Sequence, residues 1–254
     1  MQMKSAVRRT IFFACLIALW ALIAKREIWD PTLFPSPWQV ARTLWATIRD
    51  GSLLAATLVS MRRVLLGYLV SLAIGIPLGV LLARKRLLQE TVGSLVVGFQ
   101  ALPSICWLPL ALLWFGLNDR AILFVVIMGS LVSVTVAVED GVKNLAPSYV
   151  RAARTMGTWR LPLYTEVLIP ASLPALLTGA KLGWAYAWRA LMSGELLFVS
   201  LGLGHLLMEG RELADMSQVL AVMLVIIGIG LLTDRLVFGL LEQRVRERWG
   251  TARA

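Results

Sequence analysis

Residues 64–83 run for twenty positions without a charge and are closed at once by Arg84, Lys85 and Arg86. As a helix, rising about 1.5 Å per residue, such a run is about 30 Å long, the thickness of a bilayer's hydrocarbon core. Inside lipid no water is available to backbone N–H and C=O groups, and a helix satisfies its own. A chain carrying this stretch has to build the rest of its fold around a membrane. Further apolar runs at 11–24, 92–117, 121–138, 173–198 and 217–233 extend the count to six spans. Hydrophobic residues make up 58% of the chain and charged residues 16%, against about 45–50% and 25% in soluble domains. The expectation is an all-α polytopic membrane protein, with no room in 254 residues for a separate soluble enzyme domain.

The formal net charge of +10 does not point to nucleic acid, because the basic residues flank the apolar runs. Lys and Arg collect on the cytoplasmic side of membrane proteins. With the N-terminus inside, Arg84–Arg86, the segment 145–170 and the tail with Arg235, Arg244, Arg246 and Arg248 are all expected in the cytoplasm. The loops 117–120 and 200–215 then face out. The segment 25–63 is basic yet external in this scheme, partly offset by Glu27, Asp30 and Asp50. Lys4, Arg8 and Arg9 precede the first apolar run, and Lys25 and Arg26 follow it in place of a small-residue cleavage site. It reads as a retained first span. Cys15 and Cys106 lie in apolar runs and are expected to be small buried side chains, not a disulfide.

Between the first two spans, Ser36 and Gln39 have the spacing of a capping box, and Pro37 suits a first helical position. Val40, Leu44 and Ile48 share a face, with Ala41 and Trp45 beside it and Arg42, Arg49 and Asp50 pointing away. Gly51 ends what reads as an amphipathic helix on the membrane surface. Gly75 with Gly79, and Gly179 with Gly183, are small-residue seams that let another helix approach.

The most polar internal stretch is 149–170, YVRAARTMGTWRLPLYTEVLIP. Tyr149, Ala152, Ala153 and Met156 recur at i, i+3, i+4 and i+7, one narrow helical face, with Arg151 and Arg154 on the other side. Gly157 tolerates the left-handed backbone that ends a helix. Thr158 can cap a second helix, which Pro170 and Pro174 punctuate at its far end. Two alanines on the exposed face of a bent knob leave room for another protein to pack closely. This is a docking element, not a catalytic one.

The spacing Ala152-Ala153-x-x-x-Gly157, followed by Ile169-Pro170, resembles the cytoplasmic coupling loop of ATP-binding-cassette (ABC) importer permeases. The family pattern has Glu at the position of Arg151, Ile at Val167 and Leu at Ile169, so one charge is reversed here. Other pieces match in order: Phe34-Pro35-Ser36-Pro37, Ser60-x-x-Arg63-Val64, Gly75-Ile76-Pro77-Leu78-Gly79, Phe99-Gln100-Ala101-Leu102-Pro103, Trp107-Leu108-Pro109-Leu110, Gly194-Glu195-Leu196 and Gly202-Leu203-Gly204. Together they are similar to the nitrate/sulfonate/taurine branch of these permeases. The resemblance implies an N-terminal span plus external amphipathic helix over 1–55, a transmembrane domain over 56–240 with its coupling loop at 145–170, and a cytoplasmic tail over 241–254. It also implies a second permease chain, two cytoplasmic ATPases that carry ATP and Mg, a soluble or lipid-anchored substrate-binding protein, and alternating access. No cofactor is expected on this chain.

Chemistry within the chain is sparse. There is no Gly-x-x-x-x-Gly-Lys-Ser/Thr loop and no Gly-x-Ser-x-Gly elbow. His205 is the only histidine. The energy source is therefore expected on another subunit. Arg189 is the sharpest intramembrane residue, since a charge inside a span costs about 2.5–3.5 kcal/mol on insertion scales. It either lines a route for an anion, pairs with Glu195 or a partner's carboxylate, or snorkels; Lys181 is expected to snorkel. Pro103 and Pro109 either kink the third span or make it a discontinuous helix whose freed backbone lines the route, with Trp107 and Trp114 as packing or gate residues. Gly202 and Gly204 are expected to make a tight outer turn where a delivering protein lands. A secondary transporter would instead show inverted repeats and mid-span carboxylates. A membrane enzyme would show paired carboxylates or histidine clusters within spans.

Overall fold

A computed structural model of the chain describes residues 2–26, 28–30, 32–145, 147–159, 162–197 and 200–248. The described residues are mostly helical, with no strand among them. In order the helices are α1 (Gln2–Lys25), α2 (Pro37–Arg49), α3 (Ser52–Arg84), α4 (Arg86–Gln100), α5 (Ser104–Phe115), α6 (Asp119–Lys143), α7 (Pro147–Thr155), α8 (Glu166–Leu197), α9 (Leu203–Glu212) and α10 (Met216–Val245). Helices α3, α6, α8 and α10 are each long and apolar enough to cross a membrane. α4 and α5 qualify together but meet at 105°. The apolar part of α1, Thr10–Lys25, is shorter. The six apolar runs of the sequence thus become four helices of full spanning length, one helix pair bent sharply at a break, and one short apolar helix.

The chain divides into two units. The first is Met1–Val59 with Leu201–Ile227. In it α2 begins as its sequence dictates: Gln39 N–H donates to Ser36 Oγ at 3.3 Å, and Ser36 N–H donates to Gln39 Oε1 at 2.7 Å. Of the apolar face read from the sequence, only Val40 is buried. Trp38 and Trp45 are 77% and 66% exposed. Gly51, at φ +81°, ends the helix. Asp50 then accepts from both the N–H and the hydroxyl of Ser52, which holds its carboxyl below the usual carboxylate range. The stretch 200–215, expected as an open glycine-containing loop, contains helix α9. Its end is closed by Ala214 at φ +55°, with Asp215 N–H donating to the Gly210 carbonyl at 2.8 Å. Asp215 in turn caps α10 by accepting from the N–H groups of Ser217 and Gln218.

The second unit is Ser60–Ser200 with Gly228–Ala254, and α6 is its axis. Both glycine seams close on α6. A Cβ placed on Gly79 would lie 2.5 Å from the Thr135 carbonyl oxygen, and one on Gly183 would overlap Val134. Gly129 and Gly141 of α6 return the favour, lying against Ala190 and Ala175 of α8. Between helices in lipid the hydrophobic effect supplies little, so close backbone approach and dispersion carry the association. The core is Val64, Ile122, Val125, Val126, Ala187 and Leu191 with their neighbours. Tyr68 stacks edge-on to Trp184 and donates its hydroxyl to the Ala180 carbonyl at 2.7 Å.

Prolines shape this unit differently from expectation. Pro170 and Pro174 do not end a helix; α8 runs through both. A π-helical turn at Leu163–Leu168 resets the register, so Pro170 falls in the first turn that follows, where a missing N–H costs least. Pro109 likewise occupies the first turn of the α-helical part of α5 and breaks nothing. The single break of that span lies at 101–103. Cys15 and Cys106 are both exposed rather than buried.

Candidate functional site

The polar stretch after α6 folds as a knob. α6 ends in an ion pair between Lys143 and Glu139 one turn apart, and Asn144 leads out. α7 follows and closes with a paired C-terminal cap. Thr158 N–H donates to the Ala153 carbonyl at 2.9 Å, and Gly157 N–H to the Arg154 carbonyl at 3.0 Å. This six-to-one, five-to-two pair requires a left-handed residue, and Gly157 supplies φ +80°. The expected face divides in two. Ala153 turns inward against Leu163 and Leu168, which corrects the expectation of two exposed alanines: one of them is the knob's own core. Arg151, Ala152 and Arg154 are exposed, and Met156 stands 84% exposed. The Arg154 guanidinium lies 5.8 Å from the centre of the Trp159 ring. The Tyr149 side chain and residues 160–161, where a second helix capped by Thr158 would begin, lie outside the described residues.

Glu195 is turned into the packed interior. It is fully buried, with its carboxylate accepting from Arg63 at 2.9 Å and from the Ser60 hydroxyl at 2.7 and 2.8 Å. Arg63 also reaches Asp119 at 2.6 Å and the Ser200 hydroxyl at 3.2 Å. One guanidinium thereby ties α3, α6 and α8 together. Arg189 makes no ion pair with Glu195, whose carboxylate is engaged by Arg63 and Ser60. The Lys181 ammonium is paired, bonding Asp234 at 2.9 Å and Glu242 at 3.4 Å of α10. The π-helical turn Asp234–Phe238 lies at this contact.

Arg189 is exposed and makes no ion pair among the described residues; its guanidinium sits 5.5 Å from the centre of the Tyr186 ring. It lines a cavity of about 340 Å³ at the α4–α5 break, together with Pro103, Ser104, Trp107, Ser133 and Tyr186. Trp107 packs edge-on to Phe99 and Phe124, with centroids 5.4 and 6.2 Å apart. Trp114 stacks on Phe115 and Phe124, away from this lining. The structure therefore brings Arg189, Pro103 and Trp107 to one place, and it leaves Glu195 and Pro109 out. Gly202 is extended at φ 169°, and Gly204 is buried within α9, so neither makes a tight turn.

Arg63 and Asp234 are the residues that sequence reasoning missed. Arg63 directly precedes a charge-free run, the position of an ordinary flanking cation, and its partner Glu195 lies 132 residues away. The available signal was Glu195 itself, a carboxylate in an apolar run that had to be matched by some cation.

Four apolar spans, one broken span with a cavity at its break, and an exposed capped knob between spans define a membrane-embedded transport subunit driven from outside itself. The comparisons agree. The chain belongs to the family described as binding-protein-dependent transport system inner membrane component, which it matches over residues 75–247. A putative ABC transporter permease protein of Methanocaldococcus jannaschii is 32% identical over 237 residues, 91% of this chain and 88% of that one. The taurine transport system permease protein of Escherichia coli (strain K12) is 26% identical, over 87% of this chain and 82% of that one. In fold, the chain is similar to an inward-facing structure of the MetNI methionine ABC transporter, with TM-score 0.66 and 18% identity over 86% of this chain and 99% of that chain. The protein is the membrane-spanning permease subunit of an ABC importer, an inner-membrane component that works with an ATPase and a substrate-binding protein. ATP hydrolysis belongs to the partner.

Proposed function

We propose that the chain moves a small solute with an anionic head group, such as an alkanesulfonate, taurine or nitrate, inward by alternating access, as one of two permease chains in a homodimer. Both termini and the knob at 145–170 lie in the cytoplasm, where two ATP-binding subunits carry ATP and Mg. A soluble or lipid-anchored binding protein delivers the solute from outside. The observation that carries this reading is the exposed surface of α7, stiffened by its Gly157 cap and joined to two spans. Closure of the ATPases drives the paired knobs together, and packed helices respond as rigid bodies between two arrangements. The anionic head group is supported by Arg189, an exposed cation that makes no ion pair among the described residues, and by the taurine permease among the relatives.

The experiment is uptake into proteoliposomes holding the assembled importer. Gly157→Val has free space around it but forces a β-branched residue to positive φ, a strain of about 1–2 kcal/mol. It is expected to abolish ATP-dependent uptake of a radiolabelled sulfonate and to reduce co-purification of the ATPase. Arg189→Gln is expected to lower uptake with the ATPase still attached. Normal uptake and normal assembly in Gly157→Val would leave the knob an ordinary linker.

A further inference from the structure

Helix α8 is held on two sides, and the two contacts are built differently. Against α6 the backbones approach closely through glycine: Gly129 and Gly141 lie on Ala190 and Ala175, and Gly179 lies on Ala137. Against α10 there is no such seam among the described residues. A Cβ on Gly228 would meet nothing within 4 Å, and one on Gly230 only the Trp188 indole nitrogen at 3.9 Å. The α8–α10 contact is concentrated at one level. There Phe238 packs on Trp184 with ring centroids 6.4 Å apart, and the Lys181 ammonium bonds Asp234 and Glu242. Cavities flank this contact. One of about 530 Å³ is bordered by Trp188, Arg189 and Gly230, and one of about 580 Å³ by Leu173, Leu241 and Val245. The hydrogen-bond register of α10 changes at the same level, in the π-helical turn Asp234–Phe238, and such turns recur at functional sites in helices.

We propose that Lys181 pins the inner part of α10 to α8 as a pivot, so that α8 carries α10 with it while α10 swings about the joint. The proposal rests on the reading of α7 as the place where ATPase motion enters, and it says where that motion goes next. α8 starts at the knob, where Leu168 packs with Ala153 of α7, and Lys181 stands about 20 Å further along the helix. A displacement of the knob is thereby delivered to Asp234 and Glu242 through one stiff element. The joint is ionic for a physical reason. Apolar side chains in lipid gain little by choosing another helix over the acyl chains, whereas a charge within a span is costly to part from its counter-charge. Two carboxylates sharing one ammonium on a flexible four-carbon stem hold through a range of angles, which a fitted glycine seam does not. The three side chains are 33%, 50% and 28% exposed, so the joint rearranges without stranding a bare buried charge.

The test uses the assembled importer in proteoliposomes, with Cys15 and Cys106 replaced by serine. Uptake of a radiolabelled sulfonate, ATP hydrolysis and the amount of ATPase co-purified are measured together. Lys181→Met is expected to lower uptake per ATP hydrolysed about tenfold, within the usual range of coupling between sites, with the ATPase still attached. The triple variant Lys181→Met, Asp234→Asn, Glu242→Gln leaves no charge of the joint unpaired and is expected to lose as much. The exchange of Lys181→Glu with Asp234→Lys is expected to regain much of the loss, which a merely structural contact for lysine would not. The swing is tested with Leu173→Cys and Leu241→Cys, which border one cavity, joined by a bifunctional methanethiosulfonate reagent. Joining them is expected to stop uptake, and reductant to restore it. Uptake per ATP equal to the parent in the triple variant, or full uptake by the joined chain, overturns the proposal. Loss of the ATPase from the triple variant overturns it too, because Lys181 would then serve docking. Failure of the α7 reading has a different signature, an ATPase that stays bound in Ala152→Glu.

Discussion

At the scale of single residues, the informative positions are those where a side chain's chemistry conflicts with its surroundings. Glu195 is wholly buried, and it survives there because Arg63 and Ser60 fill its hydrogen-bonding capacity. Removing one member of a buried pair costs about 3–5 kcal/mol, since the other charge is left uncompensated. Glu195→Ala is therefore expected to lower the melting temperature sharply and to cut the yield of folded chain; an unchanged melting curve would contradict the pairing. The sequence reading offered Glu195 only as a possible partner of Arg189, because spacing says nothing about Arg63, 132 residues away. Arg189, Pro103 and Trp107 stand out in the sequence on separate grounds, and the fold sets them around one cavity. The two alanines of α7 give a second contrast. Ala152 and Ala153 stand about 100° apart, at the two edges of the face read from the sequence, and only the returning segment, through Leu163 and Leu168, decides which of them is covered. Ala153→Glu is expected to open the knob to proteolysis within 145–170, and Ala152→Glu to leave it as resistant as the parent chain. Equal cleavage of the two variants would mean that Ala153 is not the knob's core.

At the scale of elements, glycine seams were legible because their meaning is local: two small residues one turn apart make a groove whatever fills it. What filled them was not legible, and it proved to be the same helix, α6, in both cases. Gly183→Val forces a branched side chain into Val134 and is expected to cost about 1–3 kcal/mol as overpacking. Gly98 has nothing within 4 Å of where its Cβ would stand. Gly98→Ala is expected to be neutral or to stabilise by about 0.4–1 kcal/mol through the unfolded chain. Thermal unfolding of the two variants in the same detergent checks both signs. The prolines were misread for a physical reason. A proline's cost depends on where the first turn of its helix lies, and the π-helical turn at Leu163–Leu168 moves that point. Helix α9 was misread as loop because short polar helices depend on tertiary contacts more than on propensity. The capping box of α2, made within four residues, was read correctly.

At the scale of the whole molecule, hydropathy was enough to fix an all-α membrane protein, because the solvent itself limits the menu of folds. The division of labour was legible too, through the resemblance of the stretch 149–170 to a coupling loop, and the family match agrees with it. Orientation is a further consequence of the basic loops. A reporter fused within 145–160 or after Val245 is expected to read cytoplasmic, and one within 202–212 external; a cytoplasmic signal from the latter would remove the proposed topology. The central claim is that motion of a partner ATPase enters this chain through the exposed face of α7. Ala152→Glu tests it most directly, because this residue is exposed and supports nothing inside the chain. In the assembled importer, ATP-dependent uptake of a radiolabelled sulfonate and the amount of ATPase co-purified are measured together, at matched levels of inserted chain. The account predicts that Ala152→Glu lowers the co-purified ATPase at least tenfold, equivalent to about 1.4 kcal/mol, and that uptake falls with it. Uptake and ATPase content equal to those of the parent chain would contradict it.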